Sequence, residues 1–228
     1  MGSRKVDIIL MSWGFGDDEP RIRSAIEGIP GKPLIAVASG NFGASERVLF
    51  PARMELDGAA VTAVFSATSF NKNSRQLNHP PLQGGNNFAI LGEDVMFRDP
   101  TNPAVVVKGK KLTGTSVAAA IFAGFAGFLL LFARCELSDR DDGRLRETDT
   151  GKKAQRRLRD DKRRINLVFK AISSGYVDEG YRCLTPGQLL EATKLTEDAS
   201  IWFKLTDEQR RARVWNLMAS IVALEGIL

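Results

Sequence analysis

Ser116 stands in "KLTGTSVAAAIFAGFAGFLLLFAR", between a glycine turn and a long apolar run. A serine at the mouth of a helix meets free N–H groups and the positive end of the macrodipole, which favour developing negative charge. With a base beside it, such a hydroxyl is a nucleophile for acyl transfer. The usual base is histidine, and the chain has one, His79, in "LNHPPL". Asn41 stands in "ASGNFG", next to one glycine and two positions before another. Each residue also has a plainer reading. A serine that starts a helix is commonly an N-cap, and an asparagine between glycines is commonly a turn residue.

These residues need a scaffold, and the chain offers one. "VDIILMSW" (Val6 to Trp13) is an apolar run that reads as a buried strand. A short helix follows, with Asp18 as N-cap, Pro20 in its first turn and Gly31 beyond its end. Leu34 to Ala38 and Ala59 to Thr68 read as further strands, and "NSRQLNHPPLQGGNN" as a loop. "FAILGEDVMF" and "PAVVVKGKKL" read as short strands leading to the GTS turn and its helix. Strands alternating with helices through short turns predict a parallel α/β sheet, with a ligand site beyond the carboxyl ends of the strands. Those ends carry Ser12, Trp13 and Gly14, then Ser39, Gly40 and Asn41, then Gly114, Thr115 and Ser116.

The 228 residues are 43% hydrophobic and 26% charged, which is globular composition with room for one core. A net charge of +5 without a clustered basic patch predicts no nucleic-acid partner. The two cysteines, with one histidine and no CxxC, exclude a zinc site of the usual spacing and read as reduced thiols. Val117 to Ala133 has 17 residues without a charge, the lower limit for a membrane span. Its alanines and glycines suit a helix buried between protein layers, so no membrane partner is expected. The apolar run near the N-terminus is too short for a signal-peptide core, which leans towards an intracellular protein. Residues 134–164 hold 12 Lys/Arg and 8 Asp/Glu and read as a solvated connector. Residues 165–228 read as a helical tail, with Thr185/Gln188 and Thr206/Gln209 as capping boxes.

The ordered set "DIILMSWGF", "LIAVASGNFG", "RVLFPARMELDGAAVTAVFSAT" and "LTGTSVAAAIFAGFAGFLLL" resembles the subtilisin-like serine peptidases across Val6 to Ala133. The resemblance implies part of a three-layer, parallel-sheet subtilisin-like fold in residues 1–133, followed by the connector and the helical C-terminal tail. It implies that Ser116 is the nucleophile and that Asn41 and the Ser116 N–H hold the oxyanion. Ser12, Trp13 and Gly14 would form one wall of a peptide groove, and Ala38, Ser39 and Gly40 the other. A peptide or protein is the implied substrate. No cofactor is implied; calcium is common in the family, but no site for it can be picked out here.

The chain also departs from the family pattern. In the family the triad Asp and His precede the strand matched by Val6 to Met11, and five residues precede it here. His79 is followed by two prolines rather than by the family's Gly-Thr. The expectation is a nucleophile and oxyanion site without its base, inactive in the isolated chain. The strand Val6 to Met11 would then be an exposed edge, open to aggregation or to a partner chain. The alternative function is a non-catalytic module that binds a peptide or partner.

Overall fold

A computed structural model describes residues 6–43, 47–58, 61–68, 72–98, 106–134, 156–158 and 160–192, with residues 206, 209 and 214. The elements in order are β1 (Ile8–Met11), α1 (Pro20–Glu27), β2 (Leu34–Ala38), a 3-10 helix (Ala52–Asp57), β3 (Val61–Ala67), β4 (Phe88–Leu91), β5 (Val95–Arg98), β6 (Val106–Leu112) and α2 (Thr115–Arg134). After the connector come α3 (Ile165–Ile172), β7 (Val177–Asp178), β8 (Tyr181–Leu184) and α4 (Pro186–Ala192).

The main sheet has the order β1-β2-β3-β4-β8-β7. All neighbours pair in parallel except β7 with β8. β2 and β3 are buried on both faces, as parallel strands between helical layers must be. Alternate residues serve opposite cores. Leu34, Ala36 and Ala38 join Val64, Phe88 and Ile90 beneath α2 and α3. Ile35 and Val37 join Ala63, Phe65 and Ala89 beneath α1 and the 3-10 helix. A one-residue slip would exchange these faces, so the register is tightly specified. The result is three layers, as the sequence predicts.

α2 is fixed to the sheet by rings. Phe122 stacks on Phe88 at 5.7 Å and meets Phe169 of α3 at 4.7 Å, while Phe125 meets Phe169 at 5.2 Å. Such pairs add about 0.5–1.5 kcal/mol each beyond the area they bury. Gly92, just after β4, lets α2 begin against the sheet. A Cβ there would lie 2.8 Å from the Ala118 Cβ and 3.0 Å from the Gly114 carbonyl.

Several expectations change in detail. α1 is capped by the backbone of Glu19 and ends at Gly28, not Gly31. Asp18 does not cap it, because its carboxylate accepts from Arg23 and Arg53 instead. Those two guanidinium donors hold the Asp18 carboxyl below its usual range. The region expected as a helical tail also supplies strands: β8 pairs with β4, and Ile165, Val168, Phe169 and Leu184 enter the core beneath α2. The sheet therefore continues past residue 133. The cap at Thr185 has half of the expected box: the Gln188 side chain accepts from the Thr185 N–H at 2.9 Å. At Thr206 and Gln209 both arms form. Cys183 is a buried free thiol that burial raises to about 11, while Cys135 lies outside the described residues.

Candidate active site

β1, β2 and α2 converge at the carboxyl end of the sheet. β1 ends at Met11, so Ser12 and Trp13 emerge from it, and both are exposed. β2 ends at Ala38 and turns through Gly40, whose φ of 114° is a left-handed backbone that favours glycine. α2 starts at Thr115, after Gly114 at φ 146°.

Thr115 joins the two turns. Its N–H donates to the Asn41 Oδ1 at 2.7 Å, and its hydroxyl donates to the same oxygen at 3.0 Å. The Gly40 N–H donates to the Thr115 hydroxyl at 3.2 Å. A backbone N–H can only donate, so the Asn41 atom facing it is the carboxamide oxygen. The Nδ2 group is thereby left as the donor. The N–H groups of Val117 and Ala118 are taken by the Gly114 carbonyl, at 3.0 and 3.2 Å. The N–H of Ser116 belongs to the first helical turn, where no intrahelical acceptor exists. Two donors, Asn41 Nδ2 and Ser116 N–H, thus sit on adjoining segments at a helix N-terminus, which is a setting that suits an oxyanion.

The Ser116 hydroxyl is half-buried and donates to the Ser12 carbonyl at 2.9 Å. This bond ties the end of β1 to the start of α2. A carbonyl cannot take the proton, so the bond orients the hydroxyl without activating it. His79 is fully buried, and its ring lies behind Gly40, where a Cβ on that glycine would stand 2.7 Å from Nε2. Its carbonyl accepts from the Tyr181 hydroxyl. Burial next to Glu179 raises that phenol to about 12. The imidazole therefore lies beneath the surface that a substrate reaches. An Asp-Asp-Gly triplet occurs at 141–143, downstream of Ser116 and outside the described residues.

The structure brings Ser12, Asn41 and Ser116 together at the start of α2, where the two turns are joined by Thr115, which the sequence places at the rim but gives no role. Its role rests on bonds to residues 74 and 75 positions away, which no local pattern reveals. Trp13 and Gly14 follow Ser12 along the rim, and Gly14 lies close against Leu49. Ala38 and Ser39 are 4% and 0% exposed, so their side chains sit behind the surface rather than forming an open wall. The Ser39 carbonyl accepts from the Leu49 N–H at 3.0 Å, which lays residues 48–50 across them. Gly40 is buried as well.

Elsewhere, a cavity of about 270 Å³ is lined by Glu55, Thr62, Asn86, Arg163, Asn166 and Lys170, among others, and shares no residue with this site. Among the described residues no cluster of three or more His, Cys, Asp or Glu could hold a metal.

No family model matches the chain, and no curated protein matches it. Among solved structures it is similar to the prenylagaramide maturation protease PagA, with 21% identity and a TM-score of 0.52 over 78% of this chain and 57% of that one. It also resembles the protease domain of PatA in a mutant form, with 22% identity and a TM-score of 0.49, over 78% of this chain and 54% of that one. The PatG macrocyclase domain gives 27% identity and a TM-score of 0.42 over 54% of this chain and 36% of that one. These neighbours are subtilisin-like protease and macrocyclase domains. The chain has a subtilisin-like α/β fold and spans little more than half the length of PagA.

Proposed function

We propose that this chain is the nucleophile-bearing part of a subtilisin-like serine endopeptidase. Ser116 is the nucleophile. Asn41 Nδ2 and the Ser116 N–H receive the oxyanion, and a peptide lies along Ser12, Trp13 and Gly14 as an added strand. The observation that carries this reading is the bonding of Asn41 to Thr115, which leaves Asn41 Nδ2 as a donor at the start of α2, where Ser116 stands in the first turn.

The isolated chain does not turn over peptides at a useful rate in this account. The Ser116 hydroxyl donates to a carbonyl, and His79 is buried behind Gly40. Removing the histidine from a serine triad costs about 10⁶ in turnover in subtilisin itself. Oxyanion and binding effects alone leave about 10³–10⁴ over water. The test is labelling of Ser116 by a fluorophosphonate, with and without added imidazole as a substitute base. Slow labelling that imidazole accelerates supports the reading. Rapid labelling without imidazole contradicts the inactivity, and no labelling under either condition contradicts the nucleophile.

A second reading is that the chain works as a partner-binding module, and the open edge favours it. Among the described residues β1 pairs only with β2. The Leu34 N–H donates to the Asp7 carbonyl, so alternation turns the backbone groups of Ile8 and Leu10 to the open side. The solvent-facing stripe of α2 is Ala120, Gly124, Phe128 and Leu131, without one polar residue. A helix apolar on every face is a helix that another layer covers.

A further inference from the structure

The cavity of about 270 Å³ lies at the amino end of β3, whereas the Ser116 turn lies beyond the carboxyl ends of the strands. Its walls come from Glu55 of the 3-10 helix, Val61 and Thr62 at the start of β3, and Arg164, Asn166, Leu167 and Lys170 at and within α3. A single ordered water takes about 30 Å³ of liquid. The cavity therefore has room for a small molecule, and small-molecule sites combine an apolar wall with a few well-placed polar groups.

Two of the lining residues hold buried acceptors. The Asn86 amide donates to Glu55 Oε1, while Glu55 Oε2 is buried and meets no donor at hydrogen-bond geometry among the described residues. Asn166 donates from Nδ2 to the Thr62 hydroxyl at 2.8 Å, and its Oδ1 is buried and unmatched in the same way. A buried acceptor without a donor is costly, so two of them on one cavity favour a ligand group rich in donors. Burial also raises the Glu55 carboxyl to about 7, a cost that a cation placed against it relieves. An ammonium group has three donors and one positive charge, which meets both needs. The rest of the wall has the opposite sign. Arg163 is engaged with Asp161, to which its Nε and Nη2 both donate at 2.8 Å. Arg164 and Lys170 then leave positive charge in surplus over Glu55, which favours an anionic group on the same ligand. Val61 and Leu167 supply the apolar wall.

We propose that this cavity binds a free α-amino acid with an aliphatic side chain. Its ammonium donates to Glu55 Oε2 and Asn166 Oδ1, its carboxylate meets Arg164 and Lys170, and its side chain lies along Val61 and Leu167. Ammonium and carboxylate on one carbon are the chemistry of a free amino acid, since a peptide bond removes one or the other. The ligand ties the 3-10 helix and β3 to α3, so it stabilises the fold by mass action. The site stands apart from the serine and does not depend on the reading of Ser116.

The test is titration calorimetry of the purified chain with L-leucine, with L-leucinamide, which lacks the carboxylate, and with 4-methylpentanoate, which lacks the ammonium. Leucine is expected to bind about tenfold or more tighter than either analogue and to raise the thermal midpoint. Lys170→Ala, at an exposed position, is expected to weaken leucine and leave leucinamide unchanged, with circular dichroism as in the parent. Glu55→Gln is expected to weaken leucine and leucinamide and spare 4-methylpentanoate. Should Glu55→Gln misfold, Lys170→Ala alone decides the placement. Equal affinity for the three compounds overturns the assignment of an amino acid. Unchanged affinities in the variants overturn the assignment of these residues. Failure of all three to bind means that the buried acceptors are served by water only, and overturns the proposal.

Discussion

The Asn41 Oδ1 accepts both the N–H and the hydroxyl of Thr115, at 2.7 and 3.0 Å. One residue thereby fixes which end of the amide is left to donate and binds the β2 turn to the start of α2. Thr115 is 1% exposed, so its partners have no easy replacement in water.

Thr115→Val keeps the shape and removes the hydroxyl. The Gly40 N–H then loses its acceptor and Asn41 loses one donor. Leaving a buried donor unmade costs about 1–3 kcal/mol. Urea unfolding is expected to show that loss. Imidazole-assisted labelling of Ser116 is expected to slow by more than the stability change accounts for, because Asn41 is no longer held.

Gly40→Ala meets two obstacles. Its φ of 114° is strained for any L side chain, and the new Cβ would lie 2.7 Å from the His79 Nε2 and 2.9 Å from the Leu49 Cγ. The backbone strain alone costs about 1–3 kcal/mol, and the contacts add to it. A fall in thermal midpoint measured by calorimetry checks this.

Glu55 gives the fold a pH dependence. Burial raises its carboxyl from 4.5 to about 7, against the pull of hydrogen bonds from Asn86 and Ala63 and the charge of Lys170. The folded state therefore binds the proton more tightly than the unfolded state. The stabilisation from this group is fully present below about pH 4.5 and is lost as pH rises through 7. The size is about 3 kcal/mol, since each tenfold gain in proton affinity corresponds to roughly 1.4 kcal/mol. Denaturant midpoints are expected to fall between pH 5 and 8, and Glu55→Gln is expected to flatten that slope.

The open edge of β1 is expected to drive self-association. Leu10 is 43% exposed on a strand with no lysine or proline to guard it. Leu10→Lys is expected to lower concentration-dependent light scattering while leaving the denaturant midpoint within about 0.5 kcal/mol of the parent.

The layers of this fold are legible in sequence because its strands are continuous apolar runs. Leu34 to Ala38 is found as expected, and within Ala59 to Thr68 the described residues form the strand Val61–Ala67. β8 is not legible. Tyr181–Leu184 has four residues, one of them Arg182, and its partner β4 lies over 90 positions earlier. Only tertiary pairing makes it a strand. The site divides the same way. Ser116 and Asn41 are legible through an ordered set of turn motifs. Thr115, the Ser12 carbonyl and the burial of Ser39 depend on contacts across the fold, which residue spacing does not encode.

The most direct test of the account is the rate at which a fluorophosphonate modifies Ser116, followed by peptide mass spectrometry. Slow modification in buffer is expected, with acceleration by imidazole and loss of that acceleration in Asn41→Ala, which removes the proposed oxyanion donor. Removing such a donor costs about 10²–10³ in turnover in related chemistry. Rapid modification without imidazole, or equal rates in the parent and Asn41→Ala, would contradict it.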